Sequence, residues 1–294
     1  MIPPEASSGP DASAGARPPQ LTGAARRWAA RLSAWAIPRD ILVGAPRPPW
    51  YYPPDLVQAQ CASTPDTLSR GLARAALPAR GSTVIDVGCG GGRAGLALAP
   101  PAELVIGVDR DAAMLEQFRA AADERRVRSV AVLGEWPAIA SQVPPADVVV
   151  CHHVVYTISD LAAFGRALHE RARSRVVLEL RQEHPMVPLV PLWRQFWGLE
   201  RPAGPTAADV VAVFREAGLP ARQVTWSEPP GASRLAGVSF EREVEITRIR
   251  LCLPSERDPE VAAALRAQGP TGPRQMVTVW WDPPDAGTTF ATRG

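Results

Sequence analysis

From residue 82 onward, short apolar runs alternate with stretches whose apolar positions recur every three or four residues. β-Branched runs near 83–87, 104–108, 128–133, 147–151, 175–180 and 221–226 predict strands, and Met276 to Trp281 predicts a last one. Between them the spacing predicts helices near 92–99, 111–123, 135–142, 159–172 and 206–217. Strands that are apolar on both faces and alternate with amphipathic helices imply a parallel sheet covered on both sides. The expected fold is α/β: a doubly wound, mostly parallel seven-stranded sheet with helices on both faces.

The pattern ahead of the sheet is different. Residues 1–20 are rich in Pro, Ala, Ser and Gly and are expected to be disordered. Residues 21–77 form a helical and strap-like extension. Thr22 to Ile37 predicts a helix, with Thr22 as its cap and Pro38 as its stop. Trp28, Leu32 and Trp35 share one face. That face packs on the main domain or on a second subunit; a membrane-surface helix is the competing reading. Pro46 to Pro54, PRPPWYYPP, is a stiff extended strap. Its Trp50, Tyr51 and Tyr52 either line a substrate cleft or staple the strap to the core. Asp55 to Leu77 then reads as helical. Residues 78–294 are the main domain, with an insertion at about 229–273. Within the insertion, Val244 to Leu253 suits a strand or a helix, and 258–267 suits a helix. An insertion at a sheet edge is a place for a substrate lid.

Composition narrows the function. The chain has 294 residues, 46% of them hydrophobic, enough for a sizeable core. With 32 basic and 30 acidic residues the net charge is +2, and no basic run appears, so no nucleic-acid partner is expected. Every basic side chain except histidine is arginine, and the chain has no lysine or asparagine. This is a compositional bias, so arginine abundance is poor evidence for phosphate binding. Cys61, Cys89, Cys151 and Cys252 are far apart, which suggests neither a zinc site nor a disulfide framework, and no metal is expected. There is no apolar run of about 18 residues and no secretory apolar core, so a cytoplasmic protein is the default reading.

The most informative stretch is Val84 to Leu98, VIDVGCGGGRAGLAL. It predicts a strand, a glycine turn and a helix start, a cradle for a nucleotide-like ligand. Gly90, Gly92 and Gly95 also satisfy G-x-G-x-x-G, the dinucleotide fingerprint. Asp86 argues against that register, because a carboxylate inside an apolar strand is costly unless it is hydrogen-bonded. The pattern hydrophobic-Asp-hydrophobic-Gly-Cys-Gly-x-Gly resembles the first motif of the class I S-adenosylmethionine-dependent methyltransferases. The resemblance covers roughly Pro78 to Trp226 together with Met276 to Trp281.

That resemblance implies an antiparallel last pair of strands and a set of cofactor contacts. Asp86, Gly88, Cys89, Gly90 and Gly92 would surround the methionine part of S-adenosylmethionine. Asp109, ending LVIGVD, would bind the ribose, with Arg110 and Met114 beside it. The competing role for Asp109 is a helix cap, for which Asp111 is better placed. Glu135 and Trp136 would hold the adenine, or else Glu135 starts a helix and Trp136 is buried. The backbone at Cys151 would face the methionine amino group.

Catalytic groups are less specified. His152 and His153 end the fourth strand, and His184 follows the fifth, near Glu179, Arg181 and Glu183. His152 and His184 are candidate general bases, since imidazole titrates near neutrality. The competing reading makes them structural. No Asn/Asp-Pro-Pro-aromatic motif occurs, which disfavours transfer to exocyclic amino groups of nucleobases or to glutamine. Tyr51, Tyr52, His153, Trp193 and Trp197 are candidate substrate-pocket residues, although Trp193 and Trp197 equally suit a core face. The implied function is methyl transfer to a small apolar or aromatic acceptor, with oxygen the first choice of atom and nitrogen or carbon the second. The alternatives are a non-catalytic cofactor- or partner-binding protein, and an RNA methyltransferase, which the near-neutral charge disfavours. A homodimer is compatible with the sequence.

Overall fold

Seven strands form one sheet in the order β3-β2-β1-β4-β5-β7-β6. They are β1 (Thr83–Val87), β2 (Leu104–Asp109), β3 (Ser129–Leu133), β4 (Ala146–His152), β5 (Ala172–Arg181), β6 (Arg222–Ser227) and β7 (Gln275–Trp281). This computed structural model describes residues 23–51, 53, 56–57, 66–228, 237–269 and 272–284. The first five strands are parallel, and β7 runs antiparallel to both β5 and β6. Strand order reverses between β1 and β4, so a crevice opens at the carboxyl ends of those strands.

Both faces of the central strands are covered, which is why their sequences are mostly apolar, whereas the edge strand β6, RQVTWS, is largely exposed. Val84 joins Leu115 and Phe118 on one side. Its neighbours Ile85 and Val87 join Phe164 and Phe214 on the other. The helices supplying these side chains are α4 (Ala112–Glu124), α5 (Leu161–Arg171) and α7 (Ala207–Glu216). The edge strand β3 departs from the pattern, since Val130 and Leu133 are exposed.

The N-terminal helix α1 (Gly23–Ser33) packs on the main domain, against α5 and α7. Trp28 is buried and its indole N–H donates to Ile158 O at 2.7 Å. The buried Trp35 indole donates to Gly204 O. After α1 come α2 (Arg39–Gly44), the strap, and α3 (Leu68–Ala75), whose N-cap Thr67 accepts from Arg70 N–H. The expected tail at 1–20, the Thr22 cap, Tyr52 and Cys61 lie outside the described residues, as does much of 55–77.

Two expected helices are absent. At 92–99 the chain makes separate turns and a short 3-10 segment, Leu96–Leu98. Pro100 and Pro101 lack the N–H groups that a growing helix needs, so the turns do not propagate. At 135–142 the same thing happens: turns lead into a 3-10 segment at Ala140–Gln142, ahead of Pro144 and Pro145.

The insertion resolves the ambiguity at Val244 in favour of a helix. Helix α8 (Phe240–Arg250) starts at Ser239, whose hydroxyl accepts from Arg242 N–H at 3.3 Å. With α9 (Asp258–Gln268) it packs on α6 (Val190–Trp197) through Val244, Leu251, Val261 and Trp193. No helix among the described residues is long and apolar enough to cross a membrane.

Candidate functional site

The site begins where β1 ends. The chain leaves Val87 through Gly88, whose φ of +69° is left-handed. A Cβ there would lie 2.3 Å from Val154 Cγ2, so no side chain fits without movement. Gly88 and Cys89 both donate their N–H groups to Val108 O, at 2.8 and 3.1 Å, which ties the loop to β2. Asp86 Oδ2 accepts from Gly95 N–H at 2.7 Å, and this bond explains how a carboxylate survives inside the strand. Burial pushes its pKa up to about 7; the Gly95 bond opposes the rise and the Asp109 charge adds to it.

Asp109 closes the loop from the other side. Its Oδ2 accepts from Gly90 N–H at 2.8 Å and its Oδ1 from Asp111 N–H at 3.0 Å. Each oxygen retains lone-pair capacity for a ligand hydroxyl. The cap of α4 belongs to Asp111, which accepts from Ala113 N–H at 2.9 Å. At the end of β3, Glu135 is exposed and lies 3.9 Å from Arg110. Trp136 is buried, and its indole N–H has no hydrogen-bond partner among the described residues.

A cleft of about 370 Å³ opens beside the loop. Gly88, Asp109, Arg110, Glu135 and Trp136 line one end. The strap supplies Pro49, Trp50 and Tyr51 to its wall, and the segment after β5 supplies His184, Pro185 and Met186. Trp50 and Tyr51 therefore line the cleft, and Trp50 is 54% exposed. A smaller compartment of about 60 Å³ adjoins it, bordered by Arg70, Asp86, Cys89, Arg93, His152 and Glu179. Gly88 and His153 border both spaces.

The histidines differ in surroundings. His153 follows β4 with φ +62°, a left-handed conformation that histidine adopts more readily than most residues. Its N–H donates to Glu179 O at 2.8 Å. Its Nε2 lies 3.4 Å from Glu179 Oε1, and His152 Nδ1 lies 3.9 Å from the same oxygen. Burial opposes ionisation of Glu179, but the two histidines outweigh it and hold the carboxyl well below its usual range. His184 is buried, stacked on Trp35 with ring centroids 4.3 Å apart. Its Nδ1 accepts from Met186 N–H at 3.3 Å, leaving the ring proton on Nε2. Burial, then Arg181 and Arg201, lower its pKa to about 4.

Several residues singled out in the sequence stand apart from these spaces. Gly90, Gly92, Met114 and the fully buried Cys151 line neither compartment. Trp193 and Trp197 do not line the cleft. Trp193 is core, with the Arg201 guanidinium 4.4 Å from its ring centroid, and Trp197 donates to Leu251 O at 2.7 Å. They fasten the insertion instead. Conversely, sequence reading missed Arg70, Tyr156, Glu228, Arg250 and Arg274. Only topology brings these residues to the site, so no local motif marks them. The Tyr156 hydroxyl accepts from Arg181 N–H at 2.6 Å.

Residues 84–174 match a family model described as a methyltransferase domain. The YcgJ protein from Bacillus subtilis is similar in structure at 18% identity and a TM-score of 0.50, over 73% of this chain and 97% of that one. Magnesium protoporphyrin IX methyltransferase from Synechocystis PCC 6803 aligns at 17% identity and a TM-score of 0.45, over 76% of this chain and 83% of its own. Geranyl diphosphate C-methyltransferase from Streptomyces coelicolor aligns at 14% identity and 0.43, over 73% and 76%. These are likenesses of fold. No curated relative matches the chain in sequence.

Proposed function

We propose that this chain, whose residues 84–174 match a methyltransferase-domain model and whose fold is Rossmann-like, binds S-adenosylmethionine and transfers its methyl to a small acceptor bound in the cleft. The observation that carries this reading is that the two compartments flank the glycine loop on either side of Gly88 and His153, with Asp109 and Trp136 lining one and Asp86 and Cys89 the other. Asp109 would take the ribose hydroxyls, and Glu135 with Trp136 the adenine, for which the unpartnered Trp136 N–H is a ready donor. Gly88, Cys89 and Asp86 would surround the methionine part, with Arg70 and Arg93 as candidates for its carboxylate.

The cofactor supplies an electrophilic sulfonium methyl. The chain's own contribution is to position the acceptor, exclude water and take a proton where the acceptor has one. His153 is our first choice for the proton. It borders both compartments, and the anionic Glu179 at 3.4 Å can orient the ring and stabilise the imidazolium once formed. His152 borders only the smaller space. With Nδ1 occupied, His184 is better suited to donate from Nε2 than to act as base. Oxygen is the proposed acceptor atom, because a hydroxyl is the acceptor that most needs a base.

Titration calorimetry with S-adenosylmethionine, S-adenosylhomocysteine and NAD tests the reading. Binding of the first two in preference to NAD is expected. Tighter binding of NAD would end it.

A further inference from the structure

Three arginines converge at the end of the cleft opposite Asp109. Arg181 ends β5, Arg274 immediately precedes β7 and Arg250 ends α8, and all three line the cleft. Topology brings the first two together. Because β7 is antiparallel to β5, its start lies beside the end of β5: Arg181 pairs with Met276, and Gln182 N–H donates to Gln275 O at 2.9 Å. The abundance of arginine in this chain says nothing, but its convergence in a cavity does.

Carboxylates stand nearby. Glu228 is the carboxylate lining it among the described residues, at 3.8 Å from Arg274. Glu183 and Glu243 border an adjoining depression that the same three arginines share. Arg181 has a long bond to a neutral partner, Pro185 O at 3.4 Å. Burial loosens its hold on its proton, and the Arg274 cation does so further, against the opposing influence of Tyr156, Glu228 and Glu183. Two guanidiniums thus repel each other inside a sheltered cleft. An anion among them relieves that repulsion, and the planar fork of guanidinium matches carboxylate or phosphoryl oxygens. Trp50, Tyr51, Met186 and Met276 supply apolar surface nearby.

We propose that the acceptor is an amphiphilic anion: an apolar or aromatic body that lies against Trp50, Tyr51 and Met186 and carries a carboxylate or phosphate held by Arg181, Arg250 and Arg274. This rests on the methyltransferase reading of the same cleft and specifies its acceptor class. The arginines determine specificity, fixing which way round the acceptor enters.

The test uses 1-naphthoate, 1-naphthyl phosphate and the neutral 1-naphthamide as probes, titrated calorimetrically into protein saturated with S-adenosylhomocysteine. At least one anion is expected to bind ten-fold or more tightly than the amide, and the ratio of the two anions separates carboxylate from phosphate. Arg274→Gln and Arg250→Gln should each cut the anion preference several-fold without changing amide binding. Glu228→Gln should raise it. Equal binding of amide and both anions by the wild type, with S-adenosylhomocysteine bound, overturns the proposal. So does an anion preference unmoved in folded Arg274→Gln and Arg250→Gln proteins. Failure of the wild type to bind S-adenosylhomocysteine overturns the underlying methyltransferase reading instead.

Discussion

The Glu179 carboxylate meets the His153 imidazole 3.4 Å away, across the carboxyl ends of β5 and β4. The pair is a product of the parallel pairing of β4 with β5, which sets His152 beside Glu179 and His153 just beyond it. If His153 takes the acceptor proton, His153→Ala should lower turnover about a hundred-fold while leaving S-adenosylhomocysteine affinity unchanged. Glu179→Gln should lower it less and shift the pH–rate profile. Near-normal turnover in His153→Ala would leave the reaction to proximity and desolvation alone.

Asp109 gathers two backbone N–H groups, from Gly90 and Asp111, and is the proposed ribose acceptor. Asp109→Ala should remove charge-assisted bonds worth roughly 1.5–3 kcal/mol, weakening cofactor binding about ten-fold or more. Calorimetry on a variant shown to be folded by circular dichroism measures this, and unchanged affinity would move the ribose contact elsewhere.

Gly88 has both a positive φ and Val154 in the way of any Cβ. Gly88→Ala should cost roughly 2–4 kcal/mol, combining left-handed strain with overpacking. Adding Val154→Ala should recover the packing part and leave the strain. Denaturant unfolding of the single and double variants separates the two contributions.

His184 links stability to pH. Its folded pKa of about 4 lies below the ordinary 6.5, so the unfolded chain binds more protons between those values. The contribution to stability is complete above pH 6.5 and is lost as pH falls toward 4, to a total of roughly 3 kcal/mol. Glu179, also depressed, works in the same direction at lower pH. Asp86 works oppositely: its pKa is raised to about 7, so its contribution is lost as pH rises through that value. His184→Gln should flatten the acid side of the melting-temperature profile. An unchanged slope would mean that His184 is solvated in the folded state.

Much of this was legible in the sequence, for identifiable reasons. The strands were legible because burial on both faces forces apolar runs, and Asp86 stood out because it interrupts one. The order of Asp109 and Asp111 could be read because a cap must sit just ahead of its helix. The helices expected at 92–99 and 135–142 failed because turn-forming residues and downstream prolines overrode a weak periodicity. Trp193 and Trp197 were ambiguous because the same spacing serves a core and a pocket. Arg274 and Arg250 were illegible because their nearness to the cleft depends on the register of β7 against β5 and on where α8 packs, neither of which has a local signature.

The insertion has a further consequence through its two ends. Glu228 N–H donates to Arg274 O at 2.9 Å, so the segment departs and returns at a single point on the sheet. Closing such a loop costs little more as it lengthens. The length of what lies between is therefore little constrained by β6 and β7, and its hold on the rest of the molecule is the packing of α8 and α9 on α6. Of the three clustered arginines only Arg250 would travel with an exchange of residues 229–273; Arg181 and Arg274 lie on the sheet side of that point and would stay.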